Sequence, residues 1–179
     1  MSLAAIWAQG HGRAIGRDGA MAWHVPEDLE HFKRLTVGHP VIMGRATYDS
    51  LGEQYRPLKG RRNIVVTRSG RSFPGCEAAA SLEEACTLAG EGLVWIMGGA
   101  QIYEAAMPML DGVVVTDIDI VVPGADAFAP PLPDWTSDWE LIGADPDRGW
   151  HTSSTGLRYR FTALRRRGTD PWGGDPLAR

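Results

Sequence analysis

The sequence predicts an α/β fold on one central sheet, and three observations carry that reading. Apolar runs of strand length alternate with stretches of helical period along the chain. Two of these runs pass through glycine directly into a helix, at Val41-Ile42-Met43-Gly44-Arg45-Ala46-Thr47 and at Trp95-Ile96-Met97-Gly98-Gly99-Ala100-Gln101. The second run, over 93–97, is apolar throughout, as expected for a strand covered on both faces. At 179 residues and 44% hydrophobic content, the chain suits one soluble globular domain without repeats or linkers.

The first strand is expected over 3–9, and its flank lacks the basic region of a secretion signal. Residues 10–22, punctuated by glycine, read as a long loop. A helix follows over 26–37, with Pro26 at its first position, where a missing N–H costs nothing. A short buried strand at 40–43 leads into the second helix after Gly44. A loop containing Gly52, Pro57 and Gly60 precedes a strand at 63–67, and a further short strand is expected at 76–79. The helix at 82–89 has Ser81 as N-cap and Glu84 as its capping-box partner. The strand at 93–97 gives way to a helix over 100–107. Residues 112–122 alternate, with Val114, Thr116, Ile118 and Ile120 on one face. A Pro/Ala-rich loop at 123–133 precedes strands near 140–143 and 157–164. The domain is therefore expected to span 1–167, with 168–179, rich in Gly, Pro and Asp, as a flexible C-terminal tail.

The chemistry centres on the first helix. On a 3.6-residue period Asp28 shares a stripe with Phe32 and Leu35, whereas Glu27 lines up with His31 and Arg34 on a polar face. A carboxyl pointing into apolar surroundings is costly unless partnered, and burial raises its pKa toward proton-handling range. Glu27 is read as a charge complementing the helix dipole. The two strand–glycine–helix turns offer close backbone approach and free N–H groups to phosphates, with Arg45, Thr47 and Arg68 near at hand. Neither turn is a GxGxxG fingerprint. Of Arg61 and Arg62 only one can turn inward, where a guanidinium is able to grip a carboxylate. Cys76 and Cys86 lack metal-ligand or CxxC spacing, and the five histidines form no metal motif, so no metal is expected and a reducing cytoplasm is the default. A net charge of −4 argues against nucleic-acid binding, and no apolar run is long enough to span a membrane.

Together these residues resemble the dihydrofolate reductase family, from about Leu3 to Arg165. The motifs are Ile15-Gly16, Met21-Ala22-Trp23, Val25-Pro26-Glu27-Asp28-Leu29-Glu30-His31-Phe32, the two glycine turns, Pro57-Leu58-Lys59-Gly60-Arg61-Arg62-Asn63, Ile102-Tyr103 and Thr116-Asp117-Ile118-Asp119. The resemblance implies a mostly parallel mixed sheet of about eight strands flanked by about four helices. It implies NADPH-dependent reduction of 7,8-dihydrofolate to tetrahydrofolate by a cytoplasmic monomer. Asp28 would hold the pteridine and assist protonation at N5, with Thr116 bonded to it and Trp23 bonded to a nearby water. The carbonyls of Ile6 and Met97 would meet the pteridine amino group; Leu29, Phe32, Lys33 and Leu51 would line the substrate, and Arg61 rather than Arg62 would bind its α-carboxylate. Arg45, Ala46, Thr47, Thr67, Arg68 and Gln101 would surround the adenosine phosphates. Ala8, Ile15, Gly16, Gly19, Met21, Gly44, Gly98, Gly99, Ala100, Ile102 and Tyr103 would line the rest of the cofactor, with a cis peptide at Gly98-Gly99 and residues 10–23 as a lid. Ala22, Ala46 and Ala100 depart from the family pattern, leaving Arg45, Arg68 and Gln101 to recognise the 2′-phosphate. Two alternatives are the related pyrimidinone reductase of riboflavin synthesis, which does not need the Asp28/Phe32 pair, and a non-catalytic NADPH-binding module.

Overall fold

The computed structural model describes residues 1–134 and 138–178. The chain opens with β1 (Ser2–Gln9), β2 (Ala14–Gly16), α1 (Pro26–Thr36), β3 (Val41–Gly44) and α2 (Arg45–Ser50). It continues through β4 (Asn63–Val66), β5 (Glu77–Ala79), α3 (Leu82–Ala89), β6 (Leu93–Ile96) and α4 (Ala100–Ala106). The last third holds β7 (Gly112–Ile118), β8 (Ala127–Phe128), β9 (Trp139–Asp145), β10 (His151–Thr152) and β11 (Arg158–Arg166). The main sheet is ordered β10-β11-β7-β1-β6-β3-β4-β5, with β9 also paired to β11. The strands from β7 to β5 run parallel, and β11 joins β7 antiparallel. The expected mostly parallel mixed α/β sheet with four α-helices is what forms among the described residues.

Alternation along β1 decides which helices cover which face. Leu3, Ala5 and Trp7 pack with Leu82, Ala85 and Cys86 of α3 and with Tyr103 and Ala106 of α4. Ala4 and Ile6 point the other way, into a core shared with Trp23, Val25, Met43 and Tyr48, against which Phe32 and Leu35 of α1 pack. Helix α3 begins and ends where its signals place it. Ser81 Oγ accepts from the Glu84 N–H at 3.1 Å, while the Glu84 carboxylate reaches past the cap to the Ala80 N–H at 2.7 Å.

Three parts of the sequence reading are corrected. Residues 10–22 are not one loop: β2 pairs antiparallel with β8, and Asp126 accepts from the Asp18 N–H at 2.9 Å. Strands of two or three residues are too short to show a period. The strand expected to reach residue 122 leaves the sheet after Ile118, and the Ile120 carbonyl accepts from the His11 N–H at 2.8 Å. The expected flexible tail packs onto the domain as far as it is described, since Arg179 lies outside the described residues. Pro171 and Leu177 are buried, and Trp172 lies so close on Gly112 that a Cβ there would come within 2.4 Å of its ring. Arg34 of α1 donates to the carbonyls of Ala178 and Pro176. Three apolar anchors spaced among Gly, Pro and Asp are invisible to a composition argument. Among the described residues no helix is long and apolar enough to cross a membrane.

Candidate active site

Because β1, β3, β4, β6 and β7 are parallel, their carboxyl ends share one rim, where open α/β sheets bind ligands. Helix α1 crosses the face below this rim and carries Asp28 into it. Asp28 is 9% exposed, although it stands in the first turn of a helix whose outer residues Leu29, Glu30 and Lys33 are exposed. Burial raises its carboxyl from the ordinary 3.8 to about 6, against a weaker opposing influence of the Thr116 hydroxyl. Thr116 shares a face of β7 with Val114 and Ile118 and is 1% exposed. Its Oγ1 is close enough to favour the ionised carboxylate, yet has no partner at ordinary hydrogen-bond geometry. Thr116 thus stands as a buried hydroxyl beside the acid, where its influence on the carboxylate is that of a hydrogen-bond donor. Trp23 is buried too, and its Nε1 is likewise a donor without an acceptor among the described residues.

Tyr103 closes the floor. Its hydroxyl donates to the Ile6 carbonyl at 2.8 Å, and burial, then the nearby Asp28 charge, push its phenol pKa up. It thus supports the β1 carbonyl from below. The two glycine turns meet directly, with Gly44 N–H donating to Gly98 O at 2.7 Å and the Gly98–Gly99 peptide cis, as the resemblance implies. A Cβ on Gly99 would come within 3.3 Å of Thr47 Oγ1. Met97 N–H donates to Ile42 O at 2.9 Å, leaving Met97 half-buried at the end of β6.

The two arginines part as strand alternation requires. Arg61 donates from Nη1 to Thr36 Oγ1 at 2.9 Å and lies 5.6 Å from the Phe32 ring centre, over the helix stripe that holds Asp28. Arg62 turns away to Glu77, with contacts at 2.8 and 3.0 Å, and to the carbonyls of Leu88 and Ala89. Phe32 and Leu51 are half-buried in one apolar cluster with Met97 and Ala8. Leu29 and Lys33 are exposed on α1, as are Gly19 and Met21 between β2 and α1, and Gln101 on α4. Ile15 and Gly16 are held in β2, Ala46 is exposed on α2, Ala100 and Ile102 are half-buried on α4, and the Thr67 hydroxyl contacts Ser69 Oγ at 2.8 Å. Arg68 is exposed just past β4. Two surface hollows, of about 460 Å³ beside Ala100 and Phe128 and about 370 Å³ on the outer side of α1, are not lined by Asp28.

Two residues of α1 depart from what its periodicity predicts. His31 is not on a solvated polar face: it is 4% exposed, its ring centre lies 4.1 Å from that of Phe161, and its Nδ1 accepts from Arg34 at 2.8 Å. Burial, then Arg34, lower its pKa to about 4, against an opposing Asp145. Glu27 is more than a dipole charge. Its carboxylate accepts from Ser153 Oγ at 2.6 Å and from Ser154 N–H at 2.8 Å, while Thr155 Oγ1 donates to the His24 carbonyl at 2.7 Å. The turn before β11 therefore clasps the chain on either side of Pro26. These bonds hold the Glu27 carboxyl near 2 rather than 4.5. A lowered folded pKa means the clasp stabilises fully above 4.5 and is lost as pH falls toward 2. Glu27→Gln is expected to lower the melting temperature at pH 7, with the gap to the unaltered chain closing on acidification; equal melting at pH 7 contradicts the clasp.

Known proteins of similar sequence extend over this same architecture. The family model for dihydrofolate reductase matches residues 2–166. A dihydrofolate reductase of Mycobacterium leprae (strain TN) is 46% identical over 165 residues, covering 90% of this chain and 96% of that protein. One from Mycobacterium tuberculosis (strain ATCC 25618 / H37Rv) is 41% identical over 164 residues, with the same coverage of 90% and 96%. One from Neisseria meningitidis serogroup A / serotype 4A is 47% identical over 163 residues, again covering 90% and 96%. With its acid, its paired glycine turns and its sheet order in place, the chain belongs to the dihydrofolate reductase family.

Proposed function

We propose that this chain reduces 7,8-dihydrofolate to tetrahydrofolate with NADPH. The observation that carries the reading is a buried carboxyl with a raised pKa on the same helix stripe as Phe32, with Arg61 held two turns further on. Asp28 accepts from the amino group and ring nitrogen of the pterin, and near neutrality it still exchanges a proton usable at N5. Thr116, the buried hydroxyl that acts on the Asp28 carboxylate, orients it. The carbonyls of Ile6 and Met97 accept from the pterin amino group. Leu29, Phe32, Lys33 and Leu51 flank the benzoyl segment, and Arg61 meets the glutamyl α-carboxylate as a planar fork.

The cofactor would lie over two turns that only glycine permits. A Cβ at Gly98 would come 3.0 Å from the Tyr103 ring, and one at Gly44 3.1 Å from Ile102, so both turns are pressed against the protein's own side chains. Arg45, Thr47, Thr67, Arg68 and Gln101 stand where β3, β4 and β6 end and would hold the phosphates; Ala8, Ile15, Gly16 and the Gly98–Tyr103 turn would hold the nicotinamide side. When bound there, NADPH supplies the hydride. Residues 10–23, tethered through β2 to β8, exclude water from the reacting face.

Mixing the protein with NADPH and dihydrofolate should consume the nicotinamide absorbance. Oxidation with the pyrimidinone of riboflavin synthesis instead, or cofactor binding without oxidation, would overturn the reading in favour of the two alternatives.

A further inference from the structure

We infer that Arg71 is a specificity-determining residue for the cofactor, forming with Arg45 a two-guanidinium grip for a phosphate monoester; this rests on the proposed use of NADPH. Asp49, at the outer side of α2, accepts from Arg45 Nη1 at 3.1 Å and from Arg71 Nη1 at 2.9 and 3.2 Å. One carboxylate thus gathers two guanidinium groups, leaving one positive charge uncompensated, with Arg68 exposed nearby in sequence at the end of β4.

Each guanidinium uses only its Nη1. Among the described residues, the Nε and Nη2 donors of Arg45 and Arg71 have no acceptor. Arg71 is also held in place from below. Its Cζ stands 4.9 Å from the centre of the Phe73 ring, and buried Phe73 meets Tyr48 edge-on at 4.8 Å. Half-exposed ion pairs contribute little to stability, so fold stability does not account for two arginines posed on one acid. A preorganised pair of forks with spare donors does suit a phosphate monoester, which carries close to two negative charges at neutral pH. Arg45 follows Gly44, the residue tied to Gly98, so the grip stands at the phosphate end of the proposed cofactor cradle. Ala46 beside it adds no side chain beyond Cβ to crowd the approach. The 2′-phosphate is the only group by which NADPH differs from NADH.

Arg71→Gln should lower kcat/KM for NADPH about tenfold while leaving that for NADH within about twofold, the loss of one charge-assisted contact. Its NADPH KM should also depend less on salt, and Arg71→Lys should recover part of the selectivity. An unchanged NADPH-to-NADH ratio in Arg71→Gln overturns the inference. Titration of the free protein with 2′,5′-ADP and with 5′-AMP reads the same discrimination without turnover. If dihydrofolate is not reduced at all, the functional reading fails, while a 2′,5′-ADP preference lost in Arg71→Gln still supports the grip and an unaltered preference still refutes it.

Discussion

Asp28→Asn is expected to remove most of the turnover at neutral pH and, at the same pH, to make the protein more stable. Both effects come from one cause. Proton management by a positioned acid contributes roughly a hundredfold or more to a rate, and asparagine keeps the shape without the proton. The carboxyl titrates near 6, so turnover that needs its protonated form holds below that pH and declines above it. The Asp28→Asn profile should lose this titration. For stability the sign is reversed from the usual carboxylate. The folded pKa is raised from 3.8 to about 6, so between those values the folded chain binds more protons than the unfolded one, and stability falls as pH rises through that window. At pH 7 the ionised acid costs the fold on the order of 3 kcal/mol, a cost the amide escapes. Rate profiles from pH 5 to 8 and thermal melts at pH 3.5 and pH 7 check both arms. Undiminished turnover sinks the proposed role of Asp28, and a melting point lowered at pH 7 sinks the account of its burial.

Gly98→Ala is expected to cost about 2–3 kcal/mol of stability and to raise the KM for NADPH tenfold or more. Gly98 has φ +107°, a region that a side chain disfavours. An added methyl would meet two ring carbons and the hydroxyl oxygen of Tyr103 at 3.0 to 3.1 Å. Tyr103 has little freedom to give way, because it is buried and its hydroxyl is tied to Ile6. Relief must come from the backbone, which carries the Gly98 carbonyl that receives the Gly44 N–H. The damage would reach both glycine turns and the β1 carbonyl proposed to meet the pterin. Gly99→Ala, 3.3 Å from a single hydroxyl and at ordinary φ, is the milder control. Urea midpoints and cofactor titration measure the contrast, and equal effects of the two substitutions contradict it.

What could be read from sequence followed local rules, and what could not was long-range. The helix period singled out Asp28 from Glu27, and the capping signal set the bounds of α3. Strand alternation required the two arginines to diverge, and they do. By contrast, Glu27 meets Ser153 from 126 residues away, and no local pattern announces such a pairing. His31 looked polar on its own helix because the Phe161 ring that covers it belongs to β11. The tail looked loose because Trp172 and Leu177 bind surfaces supplied by β7 and α1, distant in the chain. Arg71, in a glycine-broken loop, carried no signal until Asp49 and Phe73 were placed beside it.

Helix α1 also acts as a gauge of length. Asp28, Phe32 and Thr36 recur every fourth residue, and Arg61 is fastened to the last of them. Eight residues of helix measure about 12 Å, so an acid and a guanidinium stand that far apart with an aromatic ring midway. A molecule lying along this scale is sorted by its span. One that ends after its heterocyclic head leaves the guanidinium to water, and one with an anionic terminus at the right reach engages both marks at once.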